Sequence, residues 1–232
     1  FRAFPIEGET RTTINIIDNQ NRMETEITEP GVWVGEEEQK HFLYVLEKDL
    51  KAGDLVICSG IPMKGMSQEI YSMISQICRE NECKCVLDAT GIYLKKSFPG
   101  EYYFSKPNFS ELTELFETEE ENTLNSLLKY GRAMQRMGVE NLLISMGESG
   151  GLFMDDAQTL RISIPKVKVL STIGCGDSSV AGFCMGTERG MSKADCVRLA
   201  MACGVCNAMF SKVGYVEPDK VWELFEQVHL TS

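Results

Sequence analysis

The alternation of apolar and polar residues near the start of the chain predicts a β-hairpin. Residues 12–17 and 23–28 alternate β-branched or apolar side chains with polar ones, which is the pattern of strands with one exposed face. They are joined by Asp18-Asn19-Gln20-Asn21, and Asn and Asp favour tight turns. We expect this hairpin to lie outside the main sheet.

From residue 31 onward the pattern changes to amphipathic helices that alternate with short apolar runs. Continuous apolar runs are typical of parallel strands that are buried on both faces. The predicted helices cover residues 36–49, 68–80 and 123–137, with a further helix opened by Ser110, and the predicted strands cover 54–58, 85–88, 102–104 and 142–145. This βαβ alternation predicts a doubly wound α/β fold, which binds ligands at the carboxyl ends of its strands.

The last third of the chain continues this pattern with different elements. Short strands at 152–154, 160–164 and 167–169 are expected to pair antiparallel at one edge of the sheet. Helices are expected at about 177–189, 192–211 and 218–228. His41 and His229 both fall in stretches whose pattern favours an exposed helix face.

The charge and composition of the chain exclude several classes of protein. A net charge of −11 over 232 residues argues against nucleic acid and anionic membranes as partners, because both bind clustered Lys and Arg. No apolar run reaches the roughly 20 residues of a membrane-spanning helix, and the first residues lack the pattern of a signal peptide. We therefore expect a cytoplasmic globular protein.

The nine cysteines are expected to be free thiols. They form an odd set, and several lie in apolar segments, as buried thiols do in a reducing compartment. Cys83-Lys84-Cys85 and Cys203-Gly204-Val205-Cys206 each lack a second matching pair, and the chain has two histidines. Neither pair predicts a zinc site.

The most informative motif is Gly174-Cys175-Gly176-Asp177, which is followed by small residues that open a helix. A glycine loop at a helix N-terminus offers unpaired backbone N–H groups and the positive end of the helix dipole, so it suits a phosphate. Asp177 at this place is able to take a proton from an attacking hydroxyl. The alternative is a tight turn in which Asp177 only caps the helix.

A second candidate site follows the predicted strand 102–104. Lys106 is able to neutralise a phosphate, and Asn108 and Glu111 offer the hard oxygens that magnesium binds, usually through retained waters. The alternative is a turn in which Asn108 or Ser110 caps a helix and Glu111 complements its dipole. Both interpretations are compatible with one another.

The motifs taken together resemble a known family. The segment from Thr172 to Ser178, followed by Val180-Ala181-Gly182-Phe183, resembles the C-terminal signature of the ribokinase-like (PfkB) sugar kinases. Three more segments follow the order of that family: Gly8-Glu9-Thr10-Arg11, Lys106-Pro107-Asn108-Phe109-Ser110-Glu111 and Ser145-Met146-Gly147-Glu148-Ser149-Gly150. The combination is similar to the branch that phosphorylates ketohexose monophosphates.

This resemblance implies a ribokinase-like, doubly wound and mostly parallel sheet with helices on both faces. Residues 1–30 are then part of a small β lid, and residues 31–232 form the α/β kinase domain. It implies Asp177 as the general base, with the backbone of Gly174, Cys175 and Gly176 as an anion hole. Cys175 replaces the alanine that is usual in the motif.

The resemblance also implies the cofactors ATP and Mg²⁺. The magnesium residues are Glu111 and Asn108, through water. The implied ATP-binding residues are Lys106, Asn108, Ser145, Met146, Gly147, Glu148, Ser149, Gly150, Thr172, Gly176, Asp177 and, in the late helix, Asn207 beside the adenine or ribose. The alternative for residues 145–150 is a plain β-turn before the next strand.

The resemblance implies fewer residues for binding the sugar substrate. Arg11 is expected to bind the phosphate that the substrate already carries, because a guanidinium pairs with phosphate through two hydrogen bonds. The alternative for Arg11 is a solvated arginine at a strand edge. Ser59 and Asp177 complete the expected substrate set, although the family's second serine after the glycine is replaced here by Ile61.

The implied activity is the conversion of fructose 1-phosphate to fructose 1,6-bisphosphate by ATP, and tagatose 6-phosphate is the alternative substrate. A homodimer through the lid strands is expected. The first strand and the sugar-binding acid of the family are absent from this sequence, which begins at Phe1. A non-catalytic, nucleotide-binding remnant is therefore an alternative of another class. A nucleoside or unphosphorylated-sugar kinase of the same fold is a further alternative, against which Arg11 argues.

Overall fold

The computed structural model describes residues 4–18 and 23–232. The predicted hairpin is present as two antiparallel strands, β1 (Thr13–Asp18) and β2 (Met23–Thr28), which form a separate two-stranded sheet. The predicted turn residues Asn19, Gln20 and Asn21 lie outside the described residues. Because strand side chains alternate between faces, Ile14 and Ile27 stand opposite each other on one face, where each is 55% exposed.

The main sheet has seven strands in sequential order. The first four are parallel: β3 (Leu55–Ser59), β4 (Lys84–Asp88), β5 (Tyr102–Ser105) and β6 (Val139–Ser145). The last three continue the sheet in antiparallel pairing: β7 (Gly151–Met154), β8 (Thr159–Ser163) and β9 (His229–Thr231). The predicted α/β class and its parallel sheet are confirmed.

Helices cover both faces of this sheet. They are α1 (Glu36–Asp49), α2 (Ile70–Glu80), α3 (Gly91–Lys96), α4 (Phe109–Leu115), α5 (Leu124–Arg136), α6 (Cys175–Glu188), α7 (Lys193–Ala208) and α8 (Pro218–Phe225). No helix in the described part of the chain is long and apolar enough to cross a membrane.

Two apolar cores lie between the sheet and its helix layers. Val86, Phe104 and Leu143 point to the core that α6, α7 and α8 cover. Their strand neighbours Leu87 and Ile144 point to the opposite core, which α2 to α5 cover. Both faces of the central strands are therefore buried, as the short continuous apolar runs indicate.

Two expectations for the end of the chain are wrong. Residues 167–169 form no strand: Pro165 cannot donate a ladder hydrogen bond, and Leu170 N instead donates to Ala208 O at the end of α7. The edge of β8 is taken by β9, in which Ser163 pairs with His229. His229 therefore lies in a strand, whereas His41 lies on an exposed part of α1 as expected.

Candidate active site

The parallel strands bring four polar residues to one edge of the sheet. Ser59 ends β3 and is paired with Asp88, which ends β4. Lys106 directly follows β5, and Ser145 ends β6. Because parallel strands point the same way, their carboxyl ends meet, and residues far apart in sequence become neighbours.

The glycine loop closes over this edge at the start of α6. Gly174 is the N-cap residue of α6, with a left-handed backbone (φ 80°) and no side-chain cap. A Cβ at this position would lie 2.8 Å from Gly214 N, so both the backbone conformation and the close packing require glycine. Cys175 N donates to Thr172 O at 3.3 Å. Because Gly174 has no capping side chain, other N–H groups of the first turn are left to bind an anion.

The side chain of Asn207, in helix α7, holds this loop by a hydrogen bond. Its side chain is fully buried in α7, and Nδ2 donates to Ile173 O at 2.8 Å and lies 3.3 Å from Cys175 Sγ. Asn207 Oδ1 is buried without a hydrogen-bond partner, on the side that faces Gly174. In this structure Asn207 supports the loop, and its contact with the nucleotide stays a prediction.

Lys106 lies directly against the glycine loop. Its Nζ is 3.2 Å from the position that a Cβ on Gly176 would occupy. The lysine side chain is only 9% exposed, and Nζ forms a 3.8 Å ion pair with Asp88 Oδ1. A buried ammonium and the N-terminus of α6 therefore converge on one point, which suits the phosphates of a nucleotide.

Asp88 is a site residue that the sequence reasoning missed. Burial raises the pKa of the Asp88 carboxyl; Lys106 opposes this shift and Asp177 adds to it. The one signal in the sequence is its position as the last residue of the predicted strand 85–88, at the edge where ligands bind.

Asp177 is exposed in the first turn of α6. Ser59 Oγ donates to Asp177 Oδ1 at 3.5 Å, so the end of β3 meets the glycine loop. An exposed carboxylate beside an anion-binding loop is placed to accept a proton from a hydroxyl that approaches the bound phosphate.

Asn108 and Glu111 form a capping box at the start of α4. Glu111 N donates to Asn108 Oδ1 at 2.9 Å, and Asn108 N donates to Glu111 Oε2 at 2.8 Å. Burial raises the pKa of Glu111, while the Asn108 N–H and Lys106 oppose the shift. The structure therefore contains the helix cap formed by Asn108 and Glu111. Their magnesium role stays a prediction.

The segment 145–150 joins the same edge. Ser145 N donates to Pro107 O at 3.0 Å, which ties the end of β6 to the loop after β5. Residues Gly147–Ser149 then form one turn of 3₁₀ helix, and Met146 N donates to Gly150 O at 2.9 Å. A Cβ on Gly150 would lie 2.0 Å from Ile162 O, so this glycine is required by its contact with β8.

The comparison with known families decides to which family this chain belongs. Residues 2–219 match the pfkB family carbohydrate kinases. The chain belongs to this family. It is a sugar-phosphate kinase, a phosphotransferase for which the family implies ATP as the co-substrate.

Curated relatives and solved structures agree with this membership. A 1-phosphofructokinase of Bacillus subtilis is 28% identical over 97% of this chain and 72% of its own length. A tagatose-6-phosphate kinase of Staphylococcus epidermidis is 29% identical over 98% of this chain and 73% of its own length. The structure of phosphofructokinase-2 from Escherichia coli with potassium has a TM-score of 0.84 at 20% identity, over 92% of this chain and 69% of that one, and shows the same fold.

The contacts described above bring together most, but not all, of the residues that the sequence predicts for the site. Lys106, Asp177 and Ser59 are joined to one edge by the contacts described above, and Thr172 lies exposed just before the loop. Arg11 is exposed and lies beside Gly31, whose Cβ would be 3.6 Å from Arg11 Cδ. Among the described residues, the hydrogen bonds and ion pairs of the site do not include Arg11.

The described residues contain no group of three or more His, Cys, Asp or Glu side chains arranged to hold a metal ion. The donor set nevertheless suits a hydrated divalent cation. Asp88 interacts electrostatically with Lys106 and Asp177, and Glu111 interacts with Lys106 and Asp88. This local excess of negative charge favours Mg²⁺ where a polyphosphate binds.

Proposed function

We propose that this chain transfers the γ-phosphoryl group of ATP to a ketohexose monophosphate and converts fructose 1-phosphate to fructose 1,6-bisphosphate. The observation that carries the proposal is the exposed Asp177 beside the uncapped N-terminus of α6 and Lys106. The names of the curated relatives support this class of substrate.

The residues divide the reaction among them. Asp177 accepts the proton of the sugar hydroxyl as its oxygen attacks the γ-phosphorus, and the bond from that phosphorus to the bridging oxygen breaks to release ADP. The N–H groups at Gly174 and Gly176 hold the oxygens of the transferring group, and Lys106 neutralises their charge.

Replacement of the proposed base tests the mechanism. We expect Asp177→Asn to lower kcat by about 10²- to 10⁴-fold, the usual contribution of a general base, with little change in ATP affinity. The matched control is Asp219→Asn, because Asp219 is also an exposed aspartate in the first turn of a helix. Coupled detection of ADP measures both variants. An Asp177→Asn enzyme with nearly full turnover would contradict the assignment.

Magnesium is proposed as the cation that accompanies the nucleotide, with Glu111 and Asn108 acting on it through water. Both side chains offer hard oxygens on the loop that Lys106 begins, at the carboxyl edge of the sheet. The capping box uses one of the two Glu111 carboxylate oxygens and one lone pair of the Asn108 amide oxygen, so it is compatible with this role.

We expect Glu111→Gln to raise the Mg²⁺ concentration needed for half-maximal activity, because a carboxylate binds hydrated Mg²⁺ more strongly than an amide does. Glu38→Gln is the matched control: Glu38 makes the same capping contact at α1, where it accepts a hydrogen bond from Gly35 N at 2.5 Å. Activity is titrated with Mg²⁺ at fixed ATP. Equal shifts in both variants would mean that Glu111 acts only as a helix cap.

Arg11 is proposed to bind the phosphate already present on the sugar, because a charge-assisted, two-point contact contributes about 1.5–3 kcal/mol. We expect Arg11→Ala to raise KM for the sugar phosphate about ten- to a hundredfold and to leave KM for ATP nearly constant. Arg11→Lys recovers only part of the loss, because an ammonium lacks the planar fork.

The same kinetics choose between the two candidate substrates. Fructose 1-phosphate and tagatose 6-phosphate are each varied at saturating ATP, and the larger kcat/KM identifies the physiological acceptor. Equal losses for ATP and for sugar phosphate in Arg11→Ala would show that Arg11 supports the lid instead. Unchanged kinetics would make it a solvated surface residue.

The exposed apolar face of the lid is proposed as a homodimer contact. Ile14, Ile16 and Ile27 share that face of the hairpin and are each at least half exposed. We expect Ile14→Lys to shift the chain from dimer to monomer in sedimentation equilibrium. Thr13→Lys, on the opposite face of the same strand, is the control and stays dimeric. A monomeric parent chain would refute this contact.

A further inference from the structure

The ammonium of Lys106 occupies an electrostatically unfavourable place. It is almost fully buried and lies against Gly176 in the first turn of α6. The N-terminus of a helix carries a positive partial charge, so it repels a cation and raises the cost of burying one there. Without a nearby anion, the flexible lysine side chain is expected to turn away from the loop.

Asp88 supplies that anion. Its Oδ1 lies 3.8 Å from Lys106 Nζ, and its side chain is 18% exposed. In the described part of the chain, no other carboxylate lies within 4.0 Å of this ammonium. The backbone of Asp88 is fixed by the β3–β4 pairing and by Gly60 N, which donates to Asp88 O at 3.0 Å, so the carboxylate is held by the sheet.

We infer that Asp88 is a positioning residue, whose carboxylate holds Lys106 Nζ against the glycine loop before the nucleotide phosphates arrive. The inference rests on the proposed function, because it assigns Asp88 to the nucleotide side of that site. Lys106 and the N–H groups of α6 are then already convergent, and binding does not have to order the lysine.

If Asp88 competed with phosphate for Lys106, removing its charge would change the ATP affinity in the opposite direction. If Asp88 only competed with phosphate for Lys106, the loss of its charge would free the lysine and strengthen ATP binding. If Asp88 positions Lys106, the same loss releases the ammonium from the loop and weakens ATP binding. The direction of the change therefore separates the two roles.

Calorimetric titration of this chain with Mg·ATP measures that direction. We expect Asp88→Asn to raise the Kd for ATP about ten- to a hundredfold, the range for the loss of a charge-assisted contact, and Asp88→Glu to recover part of the affinity. Asp88→Ser removes the same charge if Asp88→Asn fails to fold. An unchanged or lower Kd in the charge-removing variant overturns the inference.

Asp155→Asn is the matched control. Asp155 is a buried aspartate whose Oδ2 lies 3.7 Å from Lys193 Nζ, and it follows β7 at the opposite edge of the sheet. We expect this variant to lose stability while it keeps the parent affinity for ATP. A comparable loss of affinity in this control would show that the effect of Asp88 is general to buried ion pairs.

A double-mutant cycle tests whether Asp88 acts through Lys106. Lys106→Met removes the ammonium, and adding Asp88→Asn to it should leave the Kd for ATP unchanged, because nothing remains to be positioned. Additive effects of the two changes would overturn the inference, since Asp88 would then act directly on the nucleotide or on its magnesium.

A crystal structure of the Asp88→Asn chain gives a readout that needs no activity. We expect Lys106 Nζ to have moved away from Gly176. An ammonium that stays in place overturns the inference, even if the requirement for Mg²⁺ changes. If the parent chain binds no ATP, the proposed function fails, and the position of Lys106 in this crystal decides the inference alone.

Discussion

The parallel pairing of β3 to β6 is the constraint on which the site depends. Its register places Ser59 beside Asp88, and the next two strands carry Lys106 and Ser145 to the same edge. No local signal joins these residues, which come from four separate segments of the chain. The hydrogen-bonded ladder holds them together because the central strands β4, β5 and β6 are also buried on both faces by the two apolar cores.

The glycine loop completes the site, and it leaves polar groups without hydrogen-bond partners. Gly174 leaves α6 without a capping side chain, and Asn207 Oδ1 is buried beneath it without a partner. Unsatisfied polar groups of this kind are destabilising, so they persist where the surrounding structure enforces them. Here the same lack of a cap leaves backbone N–H groups that an anion is able to use, which agrees with the family of kinases to which the chain belongs.

The charge around this loop explains how an acidic chain binds an anionic ligand. The net charge of −11 gives no long-range attraction for ATP or for a sugar phosphate. Attraction is instead local, and it comes from one buried ammonium, one helix N-terminus and a set of carboxylates that suits a divalent cation. The carboxylate of Asp88, 3.8 Å from the Lys106 ammonium, offsets part of this positive charge.

The sequence by itself determined the α/β class, the hairpin strands and the glycine loop, because hydrophobic periodicity and glycine motifs are local signals. It did not reveal β9, whose three residues belong to the sheet only through backbone pairing with β8. Nor did it separate Asn207 from other helical asparagines, or Asp88 from other strand-end acids. Their roles arise from contacts with Ile173 and Lys106, and only the tertiary structure decides which buried polar groups meet.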